Sequence, residues 1–273
     1  DVYSMDVYHY SDEDLYGYLD RGGFDVIGIG MIAGYWQYKQ LKRMMDTINR
    51  LKRRPKVILG GYMFSPEPEF FLRKFGADFV IIGEGETVLP RLLEALANRE
   101  PVERVPNLAY LSDGAFTRTQ REPAPKDLDS LPFPAWDKFP IEAYVTKGRL
   151  PGVRAPRTMP VLSSRGCPYT CAFCYRLEKG YRMRSLDNLM EECHRLVTDY
   201  KLNCLSFRDE LLMVSEKRSV EFAERVIREK LNVKFDIDGR LRVAKPQVLK
   251  LLAEAGCVYI NYGIESLDQT VLD

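Results

Sequence analysis

The chain has 273 residues, 45% of them hydrophobic, with 40 lysines and arginines against 39 aspartates and glutamates for a net charge of +1. That length accommodates two ordinary domains, and the balanced charge excludes a global attraction to a nucleic-acid polyanion. No stretch reaches the roughly 18 to 20 apolar residues of a membrane span and no signal-peptide pattern opens the chain, so a soluble, cytoplasmic protein is expected.

A first short strand is expected at Val2–Met5, and the next at Val26-Ile27-Gly28-Ile29. The segment from Trp36 to Arg54 then carries Leu41, Met44, Met45, Ile48 and Leu51 at helical spacing, closed by the basic run Lys52-Arg53-Arg54. Cations at a helix end complement its dipole, so this run reads as a solvated terminus. Val57-Ile58-Leu59 is a strand, Glu69 to Phe75 a shorter helix, and Phe79-Val80-Ile81-Ile82 a third strand. A helix from about Glu86 to Asn98 follows, with Val88, Leu89, Leu92, Leu93 and Leu96 inward. Alternating strands and helices imply right-handed crossovers and a parallel sheet.

Ligands of such a sheet bind beyond the carboxyl ends of its strands. Those ends are the loops Gly30 to Tyr38, Gly60 to Ser65 and Gly83-Glu84-Gly85-Glu86. Their glycines suit tight turns or close backbone approach to a ligand. Neither a dinucleotide fingerprint nor a phosphate-binding loop is present.

Val105 to Thr119 reads as a β-hairpin turning at Asp113-Gly114. From Glu122 to Pro160 proline recurs eight times, at 123, 125, 132, 134, 140, 151, 156 and 160. This stretch is expected to be a packed connector, because Leu131-Pro132-Phe133-Pro134-Ala135-Trp136 carries too much apolar surface to leave in water. The domain limits are accordingly 1–104, a connector at 105–158, and 159–273.

The second domain opens with a strand at about Met159 to Ser163. Ser185 caps a helix whose inward face is Leu186, Leu189, Met190, Cys193, Leu196 and Val197. Cys204 to Phe207 is the second strand, Ser215 to Leu231 a helix, Val233 to Asp238 the third strand, Lys245 to Ala255 a helix stopped by Gly256, and Cys257 to Tyr262 the fourth strand. Polar residues stand at each strand's carboxyl end, where TIM-like barrels carry their chemistry.

After the first of these strands comes Ser163-Ser164-Arg165-Gly166-Cys167-Pro168-Tyr169-Thr170-Cys171-Ala172-Phe173-Cys174-Tyr175. Three cysteines stand at spacings of three and two residues, with no fourth nearby. A structural zinc site usually takes a fourth Cys or His, whereas His9 and His194 are remote in sequence. Cys193, Cys204 and Cys257 sit singly in apolar segments and read as core residues, so the six cysteines are not a disulfide framework. A [4Fe–4S] cluster normally takes four thiolates, and three leave one iron open to a reacting ligand.

The CxxxCxFC arrangement with Phe173 before the last cysteine resembles the cluster loop of the radical S-adenosylmethionine (SAM) superfamily. The resemblance implies an α/β architecture: a Rossmann-like parallel sheet domain followed by a partial (β/α) TIM-like barrel. It also implies that Cys167, Cys171 and Cys174 hold a [4Fe–4S] cluster whose free iron binds SAM, which is cleaved to a 5′-deoxyadenosyl radical. The acidic pair Asp209-Glu210, Arg240, and Glu265 with Ser266 of the GIES element match the SAM-binding strand ends, with Phe173 and Tyr175 near the adenine. The first hundred residues, with LGGYMFSPEPE and GADFVIIGEGE, resemble the cobalamin-binding domain of one branch of the superfamily. That implies cobalamin contacts at Ile32, Ala33, Gly60, Gly61, Tyr62, Gly83, Glu84 and Gly85, without a histidine lower ligand because these loops contain none.

The implied function is a radical SAM enzyme, with cobalamin, that methylates or cyclises an unreactive carbon of a small-molecule substrate. Its implied reductant is a flavodoxin or ferredoxin. A methylthiotransferase-like enzyme is the alternative, although that resemblance calls for further cysteines in the first domain and none precedes Cys167. The other alternative, a non-enzymatic iron–sulfur electron carrier or sensor, would not need the polar strand ends. Only about four βα units fit after Met159 where the resemblance implies six, no methionine opens the chain, and the family's usual opening strand and helix are not evident. A fragment truncated at both ends is therefore expected.

Overall fold

The computed structural model describes residues 2–4, 7, 11–32 and 34–272. They divide into two compact units, Tyr8–Pro125 and Asp1–Val7 with Lys126–Asp273. Val2 to Ser4 form no strand, and Met5 lies outside the described residues.

In the first unit, helix α1 (Asp12–Gly22) precedes the sheet. Its signal is a reciprocal cap that the hydrophobic pattern does not reveal: Asp14 N donates to Ser11 Oγ at 3.1 Å and Ser11 N donates to Asp14 Oδ2 at 3.1 Å. The strands β1 (Val26–Gly30), β2 (Lys56–Gly60) and β3 (Phe79–Ile81) are parallel neighbours in that order. Helices α2 (Tyr35–Asn49) and α3 (Pro68–Phe75) make the crossovers between them, and α4 (Val88–Asn98) follows β3. Val57, Leu59, Val80, Leu41 and Leu72 are fully buried, as apolar strands covered by helices must be.

Two sequence expectations change here. Leu89 and Leu93 are exposed, because Val88, Leu92 and Ala95 take the inward stripe of α4. The basic run lies beyond α2, which ends at Asn49; Lys52 and Arg53 are exposed, as expected of a solvated run, but Arg54 is not. Arg54 pairs with Asp78 Oδ2 at 2.7 Å and Lys56 with Asp78 Oδ1 at 2.8 Å, while Val57 N donates to Asp78 Oδ2 at 2.9 Å. Burial pushes the Asp78 carboxyl up, but these hydrogen bonds outweigh it and hold the group below its ordinary value.

The hairpin β4 (Leu108–Ser112) and β5 (Ala115–Arg118) turns at Asp113 and Gly114, both left-handed with φ of 48° and 80°. β4 lies antiparallel to β3, so the hairpin extends the first sheet to the order β1-β2-β3-β4-β5 and does not stand in the connector.

The second unit contains helix α5 (Ile141–Lys147) inside the proline-rich stretch, where the sequence pattern showed none. Ile141 and Val145 pack into the core of this unit with Met159, Val161 and Leu189. Strands β6 (Thr158–Val161), β9 (Cys204–Phe207), β10 (Lys234–Gly239) and β11 (Cys257–Tyr262) form a parallel sheet in the order β11-β10-β9-β6. Between β6 and β9 lie β7 (Ser164–Gly166), β8 (Tyr181–Met183) and helix α6 (Leu186–Tyr200). Helices α7 (Glu216–Arg228) and α8 (Pro246–Ala255) make the later crossovers, and α9 (Gln269–Leu272) follows β11. Leu205, Phe207, Phe235 and Ile237 point to the helices, with Phe207, Phe222 and Phe235 meeting edge to face at 5.2 to 5.8 Å between centroids. Period-2 alternation puts Ser206 and Asp236 on the opposite face. Among the described residues no helix is long and apolar enough to cross a membrane.

Candidate active site

The three-cysteine loop is closed at its base by a ladder. β6 ends at Val161, and β7 pairs antiparallel with β8, Gly166 opposite Tyr181 and Ser164 opposite Met183. Arg184 N donates to Ser163 O at 3.0 Å, which extends the closure. Gly166 has φ of +78°, and a Cβ there would stand 2.3 Å from the carbonyl oxygen of Gly180. Both the left-handed backbone and the close approach demand glycine. Gly166→Ala is expected to cost about 2 to 3 kcal/mol and to loosen the loop, read as a lowered urea midpoint together with faster proteolysis within 167–180. An unchanged midpoint and cleavage rate would show that the ladder does not hold the loop.

A buried carboxylate ties this base to the end of β9. Asp209 is only 2% exposed. It accepts from Ser163 N at 3.2 Å, from Ser163 Oγ at 2.8 Å and from Ser164 Oγ at 2.5 Å. Burial pushes its pKa up, against the pull of those donors. Asp209 thus stands under the loop and is not presented to a ligand, contrary to its expected place in an acidic ligand-binding pair. Tyr181 lies beside it, its hydroxyl donating to Leu211 O at 3.3 Å and its pKa raised mainly by burial. Nothing in residue type or spacing marked Ser163, Ser164, Tyr169 or Tyr181 as parts of the site, since their roles come from the ladder.

Within the loop, Cys174 N donates to Cys171 O at 3.2 Å, and Arg176 donates to Tyr169 O at 2.6 Å. Cys167, Cys171 and Cys174 are free thiols and none is buried. Cys193 and Cys204 are buried in the core and Cys257 is half-buried; burial pushes the Cys193 thiol up to about 12 and that of Cys257 to about 11. The sequence-level division between three loop cysteines and three packing cysteines thus matches their environments. Cys174 is also raised, by desolvation first and then by the neighbouring Cys171, Cys167, Glu265 and Glu210. That field places Glu210, beyond β9, and Glu265, beyond β11, around the cysteine loop.

Arg240, at the end of β10, lays its guanidinium over the Tyr169 ring at 3.7 Å from the centroid, a cation–π contact. Phe173 and Tyr175 are 68% and 52% exposed. Glu265 has a left-handed backbone, φ 62°, and Ser266 Oγ accepts from Asp268 N at 3.0 Å. The ends of all four parallel strands therefore carry a polar or cysteine-bearing loop on one side of the sheet.

In the first unit, the carboxyl-end loops are laced together. Met31 N donates to Gly60 O at 3.1 Å, Met63 N to Met31 O at 3.3 Å, and Gly83 N to Ser65 Oγ at 3.2 Å. Gly61 is required by packing, since a Cβ there would meet Met31 O at 2.5 Å. At Gly60 and Gly85 a Cβ would meet nothing within 4 Å, so their backbone borders open space. Ile32 is 70% exposed beside exposed Tyr35 and Trp36, an apolar patch at the end of β1. Tyr62, Gly83 and Glu84 lie on the same loops, and Ala33 lies outside the described residues.

Residues 1–93 match the B12 binding domain family and residues 161–273 the radical SAM superfamily. The chain is 28% identical over 258 residues to an uncharacterized methyltransferase of Pyrococcus horikoshii, covering 91% of this chain and 53% of that protein. It is 31% identical over 205 residues to the anaerobic magnesium-protoporphyrin IX monomethyl ester cyclase of Cereibacter sphaeroides, covering 72% of this chain and 32% of the cyclase. It thus spans between about a third and about half of these relatives. Its fold is similar to that of OxsB, a cobalamin-dependent SAM radical enzyme, solved with aqua-cobalamin bound, at TM-score 0.80 and 21% identity over 98% of this chain and 39% of that one. It is also similar to the radical SAM methyltransferase TsrM of Kitasatospora setae, solved with cobalamin and a [4Fe-4S] cluster, at TM-score 0.73 and 17% identity over 96% of this chain and 52% of that one.

Proposed function

The chain belongs to the radical SAM superfamily, in the branch that carries a B12-binding domain, and from that premise we propose that it cleaves SAM reductively at a [4Fe–4S] cluster held by Cys167, Cys171 and Cys174. The observation that carries this reading is the set of three free thiols on one ladder-closed loop, at the end of the first strand of a parallel sheet. The donor set fits the group. Each thiolate of a cubane goes to a different iron, so the three need not converge on a point, and among the described residues no three His, Cys, Asp or Glu side chains do. When bound, the cluster and SAM supply a 5′-deoxyadenosyl radical, and cobalamin supplies a transferable methyl group.

The chain's own residues do the positioning. Glu210 and Glu265 offer carboxylates to the ammonium of SAM, Arg240 a guanidinium to its carboxylate, and Ser266 a hydroxyl to its ribose. Exposed Phe173 and Tyr175 offer ring faces to its adenine. Asp209 and the ladder fix the loop from beneath and leave the thiols on the open side. In the B12-binding domain, Ile32, Gly60 with Gly61 and Tyr62, and Gly83 with Glu84 and Gly85 line the cobalamin site. The open backbone at Gly60 and Gly85 favours this, and no histidine in these loops can serve as a lower ligand. The substrate is a small molecule that is methylated or cyclised at an unreactive carbon, and the electron comes from a flavodoxin- or ferredoxin-type partner. The names of the two curated relatives, a methyltransferase and a cyclase, support both outcomes.

Anaerobic reconstitution with iron and sulfide tests this. The expected result is a reduced cluster whose electron paramagnetic resonance signal changes on addition of SAM, with a separate visible spectrum from bound hydroxocobalamin. A reconstituted cluster indifferent to SAM would overturn the proposal.

A further inference from the structure

The second unit holds a cavity of about 340 Å³ that none of the expected cluster or SAM contacts lines. Its size is at the lower end for small-molecule sites. One wall is aromatic, built by Trp136, Phe139 and Tyr144 from the proline-rich stretch and α5. The other comes from β6 and the sheet face of β9 that points away from the helices, with Pro160 and Ser206, and closes at Arg208.

The polar groups of this lining are mostly donors, and they are set in place. Asp236 is 4% exposed; its Oδ1 accepts from Ser206 Oγ at 2.6 Å and its Oδ2 pairs with Arg208 at 3.1 Å. A buried carboxylate thereby orients the guanidinium, whose side chain is still half exposed, and occupies the Ser206 proton. Arg149, exposed at the rim, has no hydrogen bond or ion pair among the described residues. Trp136 Nε1 and Thr158 Oγ1 are buried without a hydrogen-bond partner in the same lining. Orphans of this kind are rare in folded proteins, because each forfeits about 1 to 3 kcal/mol of desolvation. At Gly148 the missing Cβ leaves room for the Thr158 methyl, since a Cβ there would stand 2.2 Å from Cγ2.

An aromatic slot with two arginines and an unpaired indole N–H calls for an occupant that is flat, apolar along its body and rich in acceptors at one end. We propose that this cavity binds the substrate of the reaction and that the substrate class is a small planar carboxylic acid, its body against Trp136 and Phe139 and its carboxylate on Arg208. This rests on the reading above that the chain is a radical SAM enzyme, and adds the class of molecule it acts on.

The test is calorimetric titration of the cluster-loaded chain with trans-cinnamate and with cinnamamide, its neutral counterpart. Cinnamate is expected to bind saturably and at least tenfold more tightly than the amide. Arg208→Gln should erase that preference. Trp136→Phe, which keeps a ring but removes the N–H, should weaken both probes severalfold and leave the preference intact. Saturable binding of neither probe, equal affinities in the unaltered chain, a preference that survives Arg208→Gln, or displacement of cinnamate by SAM would each overturn the assignment. No SAM cleavage enters the readout, so failure here leaves the cofactor test standing, and failure there leaves this one standing.

Discussion

Cys171→Ala is expected to abolish reductive SAM cleavage, by at least roughly a thousandfold, because groups that act as a unit lose nearly the whole rate when one is removed. Cys167→Ala and Cys174→Ala should fall with it. The informative control is Cys193→Ala, since Cys193 is fully buried in α6 and its thiol is pushed up to about 12 by burial. That change removes a small core hydrophobe at a cost of about 1 kcal/mol, and cleavage should survive it. Measured as 5′-deoxyadenosine released per cluster under dithionite, equal losses in Cys171→Ala and Cys193→Ala would point to folding and sink the ligand assignment.

The second large effect is expected at Asp209, which bonds Ser163 and Ser164 at the foot of the loop. Asp209→Ala strands a buried N–H and two hydroxyls and should cost about 3 kcal/mol. Asp209→Asn keeps one oxygen acceptor and should cost about 1 kcal/mol at low pH. The pH dependence has a definite sign. Burial raises the folded-state pKa of Asp209 above its unfolded value, so its stabilising contribution is complete below the ordinary carboxylate range and declines as pH rises through the raised value. The lead of the unaltered chain over Asp209→Asn, read from urea midpoints, should therefore narrow with rising pH. A lead that widens would mean the three donors outweigh desolvation. If Asp209 also positions the loop, Asp209→Asn should shift the cluster's reduction potential while Cys193→Ala does not.

Local pattern carried much of the fold. Cys204 to Phe207 and Cys257 to Tyr262 are strands to the residue, because short apolar runs between turn residues leave little choice of register. Ser185 caps α6 as expected, accepting from Asn188 N at 3.1 Å, since a cap is a contact three residues long. The misreadings occurred where a distant partner decides the outcome. Leu89 and Leu93 satisfy a helical stripe as well as Leu92 does, and only the position of the sheet selects among them. Lys52 and Arg53 are solvated as their charge suggests, and only the arrival of Asp78 takes Arg54 out of that run. Helix α5 lies in a stretch whose prolines argue against it, and is held by burying Ile141 and Val145 against β6.

The candidate site divides in the same way. Three cysteines in one short loop, a GIES element and an arginine after a strand are covalently local, so sequence by itself determined the superfamily and the loop on which the proposed cluster chemistry rests. Only the tertiary structure decided that Asp209 turns inward to two serines and that Arg240 lies on Tyr169, that a ladder pairing Gly166 with Tyr181 closes the loop, and that Trp136 and Arg208 line one cavity. Each of these joins residues from about fifteen to about seventy positions apart, and their free energy comes from burial and from pairing polar groups away from water, which no run of neighbouring residues encodes.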